Sequence, residues 1–115
     1  MEKIYYALGL MSGTSGDGVD SSVIKSDGKD QIFIEYNNYD PYPSNLSDEI
    51  HRIKEKIQKL TDLIKFSDEI SYLETKLTNF HAVLANKLIK SIKVDIIGFH
   101  GQTIFHDSDE KISRQ

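Results

Sequence analysis

An α/β fold with helices packed on a mixed sheet is the class this chain predicts, and three patterns predict it. Residues 4–37 hold three short runs that are apolar or alternate with period two, each closed by glycine, proline or polar turn residues. Residues 46–88 carry apolar side chains at steps of three or four, and Val94 to Phe99 returns to a β-branched run. The predicted order is β-β-β-α-α-β: three antiparallel strands, two helices, then a parallel strand. At 115 residues the chain is sized for one domain, 1–115, with one core.

Ile4 to Met11 is nearly continuously apolar and ends at a Gly/Ser/Thr cluster, which predicts a buried strand. Val19, Ser21 and Val23 then alternate against Asp20, Ser22 and Ile24, and Asp27-Gly28 is a turn signal, so a second strand hairpins with the first. Ile32, Ile34 and Tyr36 alternate with Gln31, Glu35 and Asn37, giving a third strand with a more polar outer face and completing a meander. Pro41 and Pro43 stop it. Leu46, Ile50, Ile53, Ile57, Leu60 and Ile64 predict one amphipathic helix that covers a face of the sheet, with Lys54, Glu55, Lys56 and Lys59 on its solvated side. A break near Phe66-Ser67, with Ser67 as cap, precedes a second and longer helix through Ile70, Leu73, Leu77, Phe80, Leu84 and Leu88. Val94 to Phe99 reads as a parallel central strand delivering His100-Gly101-Gln102-Thr103 at its C-terminal end, where open α/β sheets place ligands. Ile104-Phe105 is available to pair again, and Asp107 to Lys111 reads as a polar loop.

Composition excludes several partners. The net charge of −4, with lysines dispersed along the chain, argues against a nucleic-acid surface. With no cysteine, neither a disulfide nor a thiolate metal site is available. The first residues lack the basic start and apolar core of a signal peptide, and no apolar run approaches the roughly 20 residues of a membrane span. A cytoplasmic location is therefore expected.

The stretch Gly9 to Asp20 holds four glycines in twelve residues, beside the hydroxyls of Ser12, Thr14 and Ser15 and the carboxylates of Asp17 and Asp20. It is not a Walker A loop, because Gly18 is followed by Val19 and Asp20 rather than Lys-Ser/Thr. Nor is it a Rossmann fingerprint, since a strand and not a helix follows. Calcium-loop spacing is absent too. What remains is a strand-turn-strand loop whose backbone N–H groups and hydroxyls can hold phosphate oxygens while a carboxylate holds Mg2+ directly or through water. A plain hairpin, with Asp17-Gly18 as turn chemistry and the hydroxyls satisfying local backbone, explains the same residue types, and taken alone they lean that way.

His100 and Gln102 suit a sugar hydroxyl or a proton shift, and equally a strand end satisfied by backbone. His106 and Asp107 make a poor metal pair by spacing. His51 and His81 are isolated on helices and read as packing or solvated residues. Strand and rim positions account best for the six tyrosines, with a sugar-stacking face of Tyr36, Tyr39 and Tyr42 as the lesser alternative.

Leu8 to Asp20 closely resembles the N-terminal signature of the anhydro-N-acetylmuramic acid kinases, and Ile97-Gly98-Phe99-His100-Gly101-Gln102-Thr103-Ile104-Phe105-His106 resembles their second motif. The resemblance covers essentially the whole chain but only the first third or so of a full-length member. It implies a partial actin-like ATPase (ribonuclease H-like) lobe and an ATP- and Mg2+-dependent enzyme of cell-wall amino-sugar recycling. That enzyme hydrolyses the 1,6-anhydro ring while phosphorylating the sugar 6-oxygen. Carried over by position, Gly13, Thr14, Ser15, Gly16, Asp17, Gly18, Val19 and Asp20 meet the nucleotide phosphates, with Asp17 or Asp20 near Mg2+. His100, Gly101, Gln102 and Thr103 lie by the sugar.

Two positions depart from the family pattern. Gly16 stands where the family has Met or Leu, which is expected to loosen the loop, and Phe99 stands where a serine precedes the His-Gly-Gln-Thr run. The resemblance also places the catalytic aspartate, the second phosphate loop and the adenosine pocket beyond Gln115. The expectation is therefore an N-terminal lobe fragment, inactive alone, because phosphoryl transfer depends on positioning and charge stabilisation from both walls of a cleft. Two other readings fit the same residues: a subunit of a split kinase completed by a C-terminal polypeptide, and a non-catalytic binding module or homodimer using an open sheet edge.

Overall fold

β1 (Tyr5–Ser12) organises the molecule, pairing antiparallel with β2 (Gly18–Ser26) on one side and parallel with β4 (Ile96–Gln102) on the other. β2 continues antiparallel to β3 (Ile32–Pro41), so the sheet order is β3-β2-β1-β4. Between β3 and β4 lie α1 (Ser44–Lys56), the single turn α2 (Asp62–Lys65) and α3 (Ser67–Ile89). β5 (Phe105–Asp107) and β6 (Ile112–Arg114) form a small antiparallel ribbon. This computed structural model describes residues 3–13, 15–107 and 112–114. Thr14, a predicted loop residue, lies outside the described residues, as do positions 108–111 of the predicted polar loop. Three antiparallel strands, helices, then a strand parallel to the first is the arrangement expected of an actin-like, ribonuclease H-like lobe.

One face of β1 and β2 carries the core. Leu8 lies opposite Val23 and Leu10 opposite Ser21, all buried, and strand alternation sends Gly9, Met11 and Asp20 to the other face. Against the buried face pack Leu46, Ile50, Ile53 and Ile57 from the first helical segment and Ile70, Leu73, Leu77 and Leu88 from α3. Each such aliphatic side chain contributes roughly 1.5–3 kcal/mol over its exposed state, enough to fix which face the helices take. The ion pairs Lys76 to Glu49 (2.8 Å) and Lys56 to Glu69 (2.9 Å) then bridge α1 and α3 outside the core.

Several expectations need correction. Met11 is half exposed, so β1 is buried on one face rather than both. The first helix does not run to Ile64: it stops at Lys56, where Ile57 turns to extended backbone, and Leu60 and Ile64 are exposed. The cause is Asp62, whose carboxylate accepts the N–H groups of Gln58 (3.0 Å) and Lys59 (3.2 Å) and so satisfies a chain reversal that apolar spacing alone does not reveal. Those bonds hold the Asp62 carboxyl below its ordinary pKa. Ser67 begins α3 but makes no capping bond.

β3 departs from simple alternation through an extra residue between Tyr36, opposite Val23, and Ile34, opposite Ile24. Ile32, Phe33 and Ile34 are exposed, whereas Tyr36 packs on the core. β4 is parallel as expected but not central. Among the described residues it forms an edge, with Ile96, Ile97 and Phe99 about half exposed. Asp107, assigned by sequence to a loop, closes β5. The Asp27-Gly28 turn is found as predicted: Gly28 has φ +76° and Asp27 Oδ1 accepts N–H bonds from Lys29, Asp30 and Gln31.

No helix among the described residues is long and apolar enough to cross a membrane.

Candidate functional site

The β1–β2 connection, the end of β4 and the start of α1 meet at one place. Gly16 takes φ +69°, a conformation open to glycine at little cost, and its N–H donates to the Gly13 carbonyl at 3.3 Å. Its own carbonyl accepts the Ser47 hydroxyl from the first turn of α1 at 3.0 Å. Gly16 is thus pinned at both backbone groups and buried under α1, rather than loosened. The Asp17 carbonyl accepts the Tyr42 N–H at 2.8 Å, which ties the far end of the loop to the β3–α1 junction.

Beneath the loop lies a buried polar knot. Tyr42 donates its hydroxyl to Ser12 Oγ at 2.7 Å, and Ser12 is positioned to donate its single hydrogen either to the Gly18 carbonyl (3.1 Å) or to Gln102 Oε1. Gln102 Nε2 donates to the Gly13 carbonyl at 2.7 Å and to the Thr103 carbonyl at 3.2 Å. Burial pushes the Tyr42 phenol up, against the lowering effect of its bond to Ser12, so Tyr42 stays a neutral donor at physiological pH. Ser12, Gln102 and Tyr42 are each less than a tenth exposed.

The outer side of the loop is open. A Cβ built on Gly13 meets no atom within 4 Å, and Ser15 and Asp17 are exposed. Asp17 Oδ1 lies 3.7 Å from Nε2 of His51 on α1. Asp20 is exposed on the sheet face opposite the core, whereas Val19 is fully buried and can offer a ligand only its backbone. Among the described residues no three His, Cys, Asp or Glu side chains gather as a metal cage. A Mg2+ ion that takes most of its ligands from phosphates and water needs only one or two carboxylates, and exposed Asp17 on the loop suits that.

Of the second predicted group, Gly101 (φ +88°) and Gln102 are buried, His100 is exposed with Nδ1 3.3 Å from the Gly101 carbonyl, and Thr103 is partly buried. His100, Gly101 and Gln102 line a small cavity of about 100 Å³ between α3 and β4, together with Leu77, Phe99 and Ile104. Residues 5–115 match the family model of anhydro-N-acetylmuramic acid kinase. The chain belongs to the anhydro-N-acetylmuramic acid kinase family.

Its relatives named anhydro-N-acetylmuramic acid kinase include one from Pelagibacter ubique, 47% identical over 117 residues, covering 100% of this chain and 31% of the relative. Others come from Rhizobium johnstonii, 36% identical with 100% of this chain and 32% of the relative covered, and Agrobacterium fabrum, 31% identical with the same coverage. The chain corresponds to an N-terminal portion of about a third of the length of these kinases. Both the glycine-rich loop and the His-Gly-Gln-Thr run lie inside the match.

Three residues around the loop escaped sequence reasoning. Ser47 and His51 look like ordinary helix residues until α1 is docked on the loop. Tyr42 reads from sequence as a strand or rim tyrosine, with a sugar face as the lesser alternative, whereas it is buried and serves the loop from beneath. Its one sequence signal is its place between Pro41 and Pro43, where an aromatic residue is held rigidly at a strand–helix junction.

His81 matches its expected packing role. Nδ1 donates to the Leu77 carbonyl at 2.7 Å, the ring meets Phe99 edge-on at 4.8 Å, and Nε2 is buried without a partner among the described residues. Burial pushes the imidazole pKa below its ordinary value, opposed by the bond to Leu77. A histidine whose folded pKa is depressed binds protons more readily when unfolded. Its contribution to stability is therefore full above about pH 6.5 and falls as the pH drops below it, by at most about 1.4 kcal/mol per unit. Urea unfolding compared at about pH 7.5 and 5.5 is expected to show a smaller acid loss for His81→Leu than for the parent. An equal loss in both would remove His81 as its source.

Proposed function

We propose that this chain supplies the first phosphate-binding loop, and part of the sugar-side wall, of an ATP-dependent kinase acting on anhydro-N-acetylmuramic acid. The observation that carries the reading is the anchoring of the Gly13, Gly16 and Asp17 carbonyls by Gln102, Ser47 and Tyr42, with open space beside Gly13. Donors fixed before the ligand arrives lose no entropy at the moment of binding, which is how phosphate oxygens are best held. The loop backbone beside Gly13 and the hydroxyls of Thr14 and Ser15 would meet the phosphates, and Asp17, with Asp20 behind it, would hold Mg2+. The metal, when bound, neutralises charge on the phosphates.

On the sugar side, exposed His100 and neighbouring Thr103 would face the amino sugar, whose 6-oxygen is phosphorylated as the 1,6-anhydro ring is hydrolysed. The general base that activates water for that hydrolysis is assigned to none of these 115 residues, so the chain by itself is proposed to bind without turnover. The exposed edge of β4 is where the remaining lobe would extend the sheet, on the same polypeptide or on a complementing C-terminal one. A cytoplasmic site of action accords with this role.

The test joins this chain to the remaining two-thirds of the Pelagibacter ubique relative and follows phosphate transfer from MgATP to anhydro-N-acetylmuramic acid. Transfer is expected from the chimera and not from the 115 residues alone. Gly13→Ala in the chimera is expected to leave folding intact, since its methyl group meets open space, yet to weaken MgATP binding about ten-fold by occupying the phosphate side. A folded chimera that transfers nothing would sink the proposal.

A further inference from the structure

Gln102 belongs by sequence to the sugar-side run, yet both ends of its side-chain amide are turned toward the other motif. Oε1 meets Ser12 Oγ and Nε2 donates to the Gly13 carbonyl, in a residue only 3% exposed. The local backbone is shaped to put it there. In the parallel β1–β4 ladder Leu10 lies opposite Phe99, but Ser12 lies opposite Gln102, so β4 spends one more residue than β1 over the same interval. The extra residue is accommodated at Gly101, whose φ of +88° brings the Gln102 side chain under the loop. The Gly13 carbonyl then accepts two hydrogen bonds, from Gln102 Nε2 and from the Gly16 N–H, which fills both of its lone-pair positions and fixes the direction of that carbonyl.

We infer that Gln102 is a positioning residue for the phosphate loop, setting the orientation of the Gly13 peptide from the end of β4, rather than a residue that reads the sugar. The inference deepens the phosphate-loop reading above and rests on it for its consequence in nucleotide binding. Its geometry makes the two motifs one mechanical unit. A change in the backbone at His100–Thr103 moves Gln102, and Gln102 moves the peptide that faces the ligand.

Gln102→Glu keeps the shape and the acceptor facing Ser12 but replaces the donor to Gly13 with an oxygen that repels a carbonyl; Gln102→Met removes both bonds at similar volume. Amide hydrogen exchange without nucleotide is the first measurement. Exchange at Gly16 is expected to accelerate at least about ten-fold in both variants while the core amides of Leu73 and Leu77 stay unchanged. Gly16 exchange within about two-fold of the parent in both variants would overturn the inference. If either variant also loosens the core amides, Gly101→Ala decides, because it displaces Gln102 through the bulge and leaves its amide chemistry intact: acceleration at Gly16 supports the role, and none overturns it.

MgATP titration is the second measurement, with the dissociation constant expected to rise about ten-fold in Gln102→Glu. A parent chain that binds no MgATP would count against the nucleotide reading alone. The exchange result still decides whether Gln102 holds the loop.

Discussion

Replacing Gly18 by alanine is expected to cost about 3 kcal/mol of stability and to abolish the ordered loop. Gly18 opens β2 opposite Pro41, and a Cβ built on it comes within 2.5 Å of the Asp40 carbonyl oxygen and 2.6 Å of the Tyr39 hydroxyl. The tyrosine is half exposed and can swing away. The Asp40 carbonyl cannot, because Asp40 is paired with Val19 in the ladder and Val19 is wholly buried in the core. Relief therefore requires β2 and β3 to part at the point where the Asp17 carbonyl and the Tyr42 N–H hold the loop to the β3–α1 junction. Urea unfolding of Gly18→Ala against Gly13→Ala makes the comparison sharp, since the same methyl group at Gly13 meets nothing within 4 Å. Equal midpoints for the two variants would mean that the β2–β3 pairing yields more readily than a buried ladder should.

The contrast between these two glycines shows where sequence reading reaches its limit. Period-two and period-3.6 patterning located every long element, because burial on one face is a local, repeating demand on residue type. It failed where a single polar residue outweighs the pattern. Leu60 and Ile64 continue the apolar spacing of α1, but the Asp62 carboxylate binds the N–H groups of Gln58 and Lys59 and the chain reverses. Edge or central position of β4 is likewise invisible in its residues, since an apolar β-branched run suits either. At the site, the glycine-rich loop was legible because its composition is unusual. Its supports at Tyr42, Ser47 and Gln102 act through contacts spanning about 30 to 90 positions of sequence, a separation at which residue type carries no local signature.

Gly16→Leu is the second substitution with a large expected effect, and it is informative because the family pattern would lead one to expect a bulky residue there. In this chain the position has φ +69°, which costs a branched side chain roughly 1–3 kcal/mol. A Cβ would also lie 2.9 Å from Cγ2 of Ile50, which is completely buried and fixed by the core, and 3.4 Å from the His51 ring, which is half-buried and can turn aside. The total expected loss is about 3–4 kcal/mol, part backbone strain and part overpacking. A double-mutant cycle with Ile50→Ala separates the two. Truncating Ile50 removes the overpacking but leaves the backbone strain, so the double variant is expected to be more stable than the sum of the single losses by about 1 kcal/mol or more. Strict additivity in urea unfolding would place the whole cost in the backbone. A Gly16→Leu protein as stable as the parent would show that the loop re-forms around the larger residue, and that Gly16 and the α1 surface at Ile50 and His51 are not matched to one another as the geometry requires.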